Sequence, residues 1–293
     1  MKRRSFLALA AAAALPGATK GRAFLATGKD TYILNGDGVK IWEYAGATRD
    51  GWVLPNGNVL LAKSPAENYA GGVVEVTRAG NTVFEYKGTQ TEVNTVQPLA
   101  DGRIMLTEAG DNPRILEVDR NGKIHAEVAL KLQTENHHLQ SRMSRKLANG
   151  NYLVPAMGEK QLREYTPAGK VVWSFDTPHW PFTAIRLPSG NTLTTFTLAN
   201  TAAEIDAGGK IVWSVSNEDL PGEPYDDACG AQRLANGNTM LTSFHAKAGK
   251  IKLFEVDRAK KIVWQHVNDS DAGIHHFQVL NDDGSATSGP ILK

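Results

Sequence analysis

The residues of this sequence that are best suited to chemistry lie in four short segments. Each combines histidine, aspartate or an aromatic residue: His137-His138, His179-Trp180, Tyr225-Asp226-Asp227 and His275-His276. Histidine changes protonation near neutral pH and can act as a general acid or base, while aromatic rings offer a stacking surface. Loop residues are also polar simply because they face water, and neighbouring histidines often only bond nearby backbone. The place of these segments in the fold therefore distinguishes a functional site from loops that are polar only because they face water.

Composition excludes several function classes. Lys and Arg total 32 against 31 for Asp and Glu, so no bulk charge favours nucleic acid as a partner. The sequence has no Gly-rich phosphate loop, no G-x-S-x-G elbow and no basic-aromatic run. Asp226, Asp227, Cys229 and His276 are residue types that suit a transition metal, but their spacing matches no metal motif, so we predict no metal site. Cys229 is the only cysteine, which excludes an intramolecular disulfide.

The first 23 residues predict an export signal. Arg3-Arg4 precedes Ser5-Phe6-Leu7 and an alanine-rich run, a pattern of the twin-arginine type. The apolar run is too short to span a bilayer comfortably, so we expect cleavage and no transmembrane span afterwards. Cleavage after Ala18 and cleavage after Ala23 both fit the small residues present. The predicted location is the periplasm or the extracellular medium.

One short turn motif recurs six times along the chain. Its glycines are spaced 40 to 48 residues apart, as in LANGNYL and LANGNTM: Gly57, Gly102, Gly150, Gly190, Gly237 and Gly284. Apolar residues flank an Asn-Gly, Asp-Gly or Ser-Gly pair in most copies, which is typical of β-hairpins with a type I′ turn. The motif therefore predicts six equivalent hairpins.

A second hairpin motif alternates with the first, as in LREYTPAGKVVWSF and AAEIDAGGKIVWSV. Two hairpins in 40 to 50 residues make four antiparallel strands, the size of a β-propeller blade. The chain starts with the second hairpin of a blade (residues 30–45) and ends with the first hairpin of one (276–292). We therefore predict an all-β fold for residues 24–293, a single six-bladed β-propeller. Pairing of the N- and C-terminal hairpins would close its ring and remove the exposed edges.

Two residue types repeat with the blades and are predicted to be structural. An aromatic residue of the last strand should wedge between neighbouring blades: Trp42, Phe84, Trp173, Trp213 and Trp264. A glutamate of the preceding strand should face solvent or bond within its own blade: Glu75, Glu117, Glu164, Glu204 and Glu255.

The blade sequences resemble a known superfamily. TPAGKVVWSF, DAGGKIVWSV and VDRAKKIVWQH are similar to the repeat of the quinoprotein-like (PQQ-type) β-propellers, and with the Asn-Gly turns they look closest to the arylsulfotransferase-like branch. The resemblance covers nearly all of the mature chain and implies the fold, which is a poor guide to activity. The chain lacks the adjacent cysteine pair of many quinone dehydrogenases and the added N-terminal domain of arylsulfotransferases. No cofactor is therefore expected.

The repeat also locates a candidate site, because the innermost strand of each blade lines the channel. Counting back eight residues from each glycine reaches the start of that strand: Arg49, Asn94, Arg142, Phe182, Cys229 and His276. The four segments named first lie in the loops leading into these strands. Arginine suits anionic groups, so Arg49 and Arg142 are the predicted charge partners of a ligand.

The preferred interpretation is an exported, monomeric and non-catalytic propeller. It would bind a small anionic or aromatic molecule, or a periplasmic protein, at this face of the channel. The predicted binding residues are Asn94, His138, His179, Trp180, Tyr225, Asp227, Cys229, His275 and His276. The alternative is a propeller enzyme of the arylsulfotransferase or a related type, with His276, Arg142 and Arg49 as catalytic candidates.

Overall fold

Residues 21–293, which the computed structural model describes, form six antiparallel sheets of four strands each, arranged in a ring. This confirms the predicted all-β, six-bladed β-propeller. Inner strands are mostly buried and outer strands are largely exposed, because each sheet runs from the channel to the rim. Two short 3-10 turns, His137–Leu139 and Asn217–Asp219, lie in loops between blades.

The strands of each blade are given from the channel outward. Blade 1 consists of β4 (Thr48–Val53), β5 (Val59–Lys63), β6 (Gly72–Val76) and β7 (Thr82–Lys87). Blade 2 consists of β8 (Glu92–Pro98), β9 (Ile104–Ala109), β10 (Arg114–Val118) and β11 (Ile124–Ala129). Blade 3 consists of β12 (Arg145–Lys146), β13 (Tyr152–Ala156), β14 (Gln161–Tyr165) and β15 (Val171–Asp176). Blade 4 consists of β16 (Pro181–Arg186), β17 (Thr192–Phe196), β18 (Thr201–Ile205) and β19 (Ile211–Ser216). Blade 5 consists of β20 (Ala231–Arg233), β21 (Thr239–Thr242), β22 (Ile251–Val256) and β23 (Ile262–Val267). Blade 6 consists of β24 (Ile274–Val279), β1 (Phe24–Gly28), β2 (Thr31–Leu34) and β3 (Lys40–Tyr44).

Blade 6 closes the ring with segments from both ends of the chain, as predicted, but the strands are divided differently. β24 supplies only the inner strand, and β1 pairs with it from Phe24↔Val279 to Gly28↔Ile274. The expected second strand of the C-terminal hairpin is reduced to one bridge, Leu280↔Ala286. The sequence after Gly284 has small residues and a Gly-Pro pair rather than alternating apolar residues, so it cannot compete with β1 for this position.

The repeated Asn-Gly turn is a three-residue loop rather than the expected two-residue type I′ turn. Leu147 N–H donates to Asn151 O at 2.7 Å, and Gly150 N–H donates to Leu147 O at 3.0 Å. Gly150 has a φ of 85°, whereas Asn149 is not among the residues with positive φ. The side chain of Asn149 instead accepts a hydrogen bond from Asn151 N–H at 3.0 Å. This is a type I turn followed by a left-handed glycine, a common hairpin loop in which Asn, Asp and Ser bond backbone two residues ahead.

The repeated aromatic residues lie between blades, as predicted. The indole N–H of Trp213, in blade 4, donates to the backbone oxygen of Arg258, in blade 5, at 3.1 Å. The Arg258 guanidinium also covers the Trp213 ring at 4.9 Å from its centroid. Arg186 of blade 4 covers Trp173 of blade 3 at 4.9 Å in the same way.

The repeated glutamates do not face solvent; they are buried and join adjacent blades. Glu204 of blade 4 accepts hydrogen bonds from Asn191 of its own blade at 2.8 Å and from Arg233 of blade 5 at 3.0 Å. The other four are likewise at most 9% exposed and pair with a cation of the following blade: Glu75 with Arg120, Glu117 with Lys146, Glu164 with Arg186, and Glu255 with Arg22. Bonding within the blade, as expected, is therefore only part of their role, since each glutamate also binds a cation of the following blade.

Residues 1–20, which contain most of the predicted export signal, lie outside the described residues. Of its last three residues, Arg22 pairs with Glu255 at 2.5 Å, and Ala23 is 1% exposed and accepts a hydrogen bond from Leu280 N–H. In the part of the chain that the structure describes, no helix is long and apolar enough to cross a membrane.

Candidate functional site

A cavity of about 420 Å³ opens at the end of the channel opposite the Asn-Gly turns. Its walls include seven of the predicted binding and catalytic residues: Arg49, His138, Arg142, Trp180, Asp227, Cys229 and His275. They come from the inner strands of the blades and from the loops leading into them. Seven of the eleven residues predicted for binding or catalysis therefore lie together at one cavity.

Four predicted residues do not line this cavity. Asn94 lies beneath it as a fully buried hydrogen-bonding residue. His179 lines a neighbouring cavity of about 400 Å³, which shares Trp180 with the first. Tyr225 packs edge-on against Phe254 at 4.9 Å in a hydrophobic core. His276 is fully buried, with its ring 3.7 Å from Asp50 below the cavity. The catalytic set of His276, Arg142 and Arg49 is consequently not assembled, because only the two arginines reach the cavity.

A one-residue shift in blade 6 explains why His275, and not His276, is in the cavity. In four inner strands the register shows one extra residue at the channel mouth, and that residue is Arg49, Asn94, Phe182 or His275. Such β-bulges commonly re-aim a side chain next to a functional site. In blade 6 the turn begins one residue later, since Asn281 N–H, not Leu280 N–H, bonds across it. The inner-strand position can also be counted from the leucine before each turn, five residues back. This count gives His275 in blade 6, and in the other five blades it gives the same residues as the count of eight from the glycine.

The floor of the cavity holds two guanidinium groups that share their partners. Nη1 of Arg49 and Nη1 of Arg142 both donate to Asn94 Oδ1, at 2.9 and 2.8 Å. The same two atoms lie 3.2 and 3.4 Å from Glu92 Oε2. Among residues 21–293, the buried Nε of each arginine has no hydrogen-bond partner, and Nη2 of neither forms a hydrogen bond. Two cations therefore face one carboxylate, and each keeps a free donor.

Burial and like charge shape the titration of this cluster. Desolvation and the neighbouring Arg49 lower the pKa of Arg142 to about 10. Burial opposes ionisation of Glu92, but the hydrogen bond from His138 and the two arginines outweigh it and lower its pKa to about 2. Both arginines and Glu92 are thus charged at neutral pH, and the cluster carries a net positive charge that a bound anion would balance.

Asp227 organises the opposite wall. Its Oδ1 accepts hydrogen bonds from the hydroxyl of Thr197 and from Leu198 N–H, the latter at 3.2 Å. Asp227 and Leu198 both have left-handed backbone, with φ of 70° and 48°, and these hydrogen bonds hold the strained turn in place. Burial raises the pKa of Asp227, and it raises that of the adjacent Cys229 thiol well above the ordinary value. The Cys229 thiol is therefore a poor nucleophile.

Two histidines stand at the rim, each beside a carboxylate. His138 Nδ1 lies 3.0 Å from Glu92 Oε1, and His245 Nδ1 lies 3.4 Å from Asp227 Oδ2. The side chains of His138 and His245 are 58% and 55% exposed. Among residues 21–293, no group of three or more His, Cys, Asp and Glu side chains is arranged to hold a metal ion.

The apolar walls include Met157, Phe182, Leu198 and Phe244. Phe182 starts an inner strand, as the count from the turn glycine predicts, whereas the other three were not part of the predicted set. Met157, Leu198 and Phe244 lie in the loops between the second and third strands of blades 3, 4 and 5, which open at the same face as the loops leading into the inner strands. A search extended to the first residues after each second strand would have found all three.

Comparisons with known proteins support the fold and no particular activity. No family model and no curated protein matches the chain. A crystal structure of a protein of unknown function from Bacteroides caccae is 23% identical, with a TM-score of 0.78, over 88% of this chain and 98% of that one. A catalytically inactive virginiamycin B lyase variant from Staphylococcus aureus with quinupristin is 15% identical, with a TM-score of 0.60, over 91% and 94%. A nidogen/laminin complex gives 10% identity and a TM-score of 0.65 over 90% and 99%.

These structural neighbours include six-bladed β-propellers, and at such identities they show the fold alone. The narrower resemblance to the quinoprotein-like superfamily and its arylsulfotransferase-like branch stays a prediction.

Proposed function

We propose that this propeller binds a small organic anion with an apolar body in the cavity at the channel mouth. The observation that carries the proposal is the pair of buried arginines, which share one carboxylate and each keep an unpartnered Nη2 at the cavity. Desolvated guanidinium groups bind carboxylate and sulfate strongly because the hydrogen bonds are charge-assisted. The aromatic and aliphatic walls would cover the apolar part of the ligand.

Calorimetric titration with benzoate and phenyl sulfate, against neutral benzyl alcohol, tests this proposal. We expect the anions to bind and the alcohol not to bind. Arg142→Gln should weaken anion binding at least about tenfold, since it removes one charged hydrogen bond. The matched control is Lys123→Gln, an exposed cation at the opposite face in the turn between β10 and β11. Equal affinity for the anions and the alcohol would contradict the proposal.

A second candidate, a propeller enzyme of the arylsulfotransferase or a related type, is favoured by the two histidine–carboxylate pairs at the rim. A carboxylate can orient an imidazole so that its other nitrogen removes the proton of an acceptor hydroxyl, which then attacks the sulfur of a bound sulfate ester and displaces the phenolate. His138 and His245 would take this role in place of the buried His276. Release of nitrophenolate from 4-nitrophenyl sulfate in the presence of a phenol acceptor, lost in His138→Gln or His245→Gln, would favour catalysis over simple binding.

Export through the twin-arginine route is also part of the proposal, with the periplasm or the extracellular medium as the destination. The support is the sequence of residues 1–18. Between the two predicted cleavage positions we propose the one after Ala18, because cleavage after Ala23 would remove the Arg22–Glu255 ion pair and a buried residue from the fold. The mass of the exported chain, measured against that of the full-length chain, distinguishes the two positions.

A further inference from the structure

The His275 side chain is held at the cavity by two aromatic rings and a backbone oxygen. It is the extra residue of the blade 6 bulge, and its ring lies edge-on between Phe182 and Phe244, at 4.9 and 5.0 Å. Its Nδ1 lies 2.8 Å from the backbone oxygen of Arg49. A carbonyl oxygen can only accept a hydrogen bond, so Nδ1 carries the proton and Nε2 presents a lone pair.

In the part of the chain that the structure describes, the lone pair of Nε2 has no donor. His275 is 8% exposed and lines the cavity, and no hydrogen bond to its Nε2 is formed by residues 21–293. Burial and the charge of Arg49 lower the pKa of His275 to about 3, so the ring is neutral throughout the physiological range. Because Nε2 has no partner among these residues and His275 lines the cavity, a ligand that supplies a donor can form a hydrogen bond with it.

Donors and this acceptor line the same cavity. Arg49 and Arg142 offer only N–H groups, whereas His275 Nε2 offers only a lone pair. A ligand that complements both must carry an oxyanion and, next to it, a hydrogen-bond donor. The donor should be uncharged, because an ammonium group at this position would be repelled by the two guanidinium groups.

We propose that the ligand is a carboxylate with a neutral donor close to the acid group, of the hydroxycarboxylate class, and that His275 is the residue that selects the donor. This rests on the anion binding proposed above and narrows it from any organic anion to one chemical class. The carboxylate would contact Nη2 of Arg49 and of Arg142, the hydroxyl would donate to His275 Nε2, and the apolar body would lie along the walls that include Trp180 and Phe244.

Three compounds that differ only at the carbon next to the carboxylate test the inference: mandelate, phenylacetate and phenylglycine. Each is titrated calorimetrically into the wild-type protein at pH 7. We expect mandelate to bind about tenfold more tightly than phenylacetate, which is the effect of one additional hydrogen bond, from its hydroxyl to His275 Nε2. Phenylglycine should bind more weakly than either, because its ammonium group faces the arginines.

The variant His275→Phe removes the acceptor and keeps an aromatic ring between Phe182 and Phe244. In this variant mandelate should bind no better than phenylacetate, while phenylacetate keeps its wild-type affinity. His125→Phe, on the outer strand of blade 2, is the matched control and should leave the wild-type order unchanged.

The outcomes separate this inference from the proposal beneath it. If none of the three carboxylates binds, anion binding itself is overturned. If mandelate and phenylacetate bind the wild-type protein equally, the role of His275 is overturned and anion binding stands. This second comparison uses only the wild-type protein, so it decides the inference even where the variant does not fold.

Discussion

At the scale of single residues, Glu92 supplies the negative charge that offsets the repulsion between the two arginines at the cavity floor. It is 8% exposed and contacts Arg49, Arg142 and His138. Two guanidinium groups that bond the same amide oxygen repel each other, and among residues 21–293 the carboxylate that pairs with both is that of Glu92. The contribution of this cluster to the free energy of unfolding should therefore depend on the ionisation of Glu92.

Acidification should lower the free energy of unfolding of the wild-type protein in the pH range in which Glu92 of the unfolded chain, but not of the folded chain, becomes protonated. The pKa of Glu92 is about 2 in the folded chain against an ordinary value of 4.5, so the unfolded chain binds more protons between these values. The contribution is complete above pH 4.5 and is lost as the pH falls toward 2. Glu92→Gln should cost about 3 kcal/mol of unfolding free energy at pH 6, and the difference from wild type should shrink on acidification. Urea denaturation at pH 6, 4 and 3 measures it.

The control for this experiment is Glu43→Gln, because Glu43 lies exposed on β3 and pairs only with the exposed Lys40. Its difference from wild type should be small at each pH. A constant difference between wild type and Glu92→Gln from pH 6 to pH 3 would show that the carboxylate does not act through its charge.

Single residues also mark the limit of what the sequence could predict about the site. Arg49 and Arg142 were placed correctly because their distance from the turn glycine is the same in blades 1 and 3. His276 was chosen over His275 because the extra residue of blade 6 shifts the glycine but not the leucine before the turn. Tyr225 was expected at the cavity because it precedes Asp226, but Asn217 bonds its backbone on both sides, at 2.9 Å each, and its ring turns into the core. No local pattern in the sequence signals that contact.

At the scale of elements, the inter-blade glutamates show how one strand is fixed to the next blade. Glu204 lies on β18 of blade 4, and its two oxygens bind Asn191, Arg233 and Arg258. The asparagine belongs to the Asn-Gly turn region of the same blade, whereas both arginines belong to blade 5. One carboxylate thus links a turn, a strand and the neighbouring sheet, which explains why the same residue recurs in five blades.

Glu204→Gln should destabilise the propeller by about 2 kcal/mol, because it removes a buried charge that two arginines contact. Urea denaturation at neutral pH measures the change. Glu85→Gln provides the comparison, since Glu85 lies at the outer strand of blade 1 and its nearest cation, Lys63, is 3.7 Å away. That surface pair should contribute less than about 1 kcal/mol. Equal losses in the two variants would mean that the inter-blade position of Glu204 adds nothing.

Strands are predicted correctly wherever the two strands of a hairpin directly precede and follow their turn in the sequence. The hairpins of blades 1 to 5 satisfy that condition, and all of them are present in the structure. The apolar walls of the cavity were not predicted, because residues such as Leu198 and Phe244 look like ordinary loop positions after a strand. Their direction depends on the left-handed turn that Asp227 holds, which is a tertiary contact.

At the scale of the whole molecule, the ring closes through strands that are distant in sequence. β1 was not predicted as a strand because it follows an alanine-rich run and has no turn linking it to β24. Its partner in the blade lies about 250 residues away along the chain, as in the pair Thr27↔His276. A turn signal cannot report such a pairing, so only the need to cover both sheet edges indicated that the termini meet.

Removal of β1 should open the ring. Phe24, Leu25 and Ala26 are at most 1% exposed, and without them β24 and β2 would each present an unpaired edge. The hydrophobic clusters that join blade 6 to blades 5 and 1 would also lose apolar contacts. A chain that begins at Gly21 keeps β1 and should unfold in one cooperative urea transition as a monomer. A chain that begins at Asp30 should lose the cooperative transition and self-associate on gel filtration, since exposed strand edges pair with other chains. If the shorter chain unfolds at the same urea concentration as the longer one, the closing strand is not what holds the six blades in a ring.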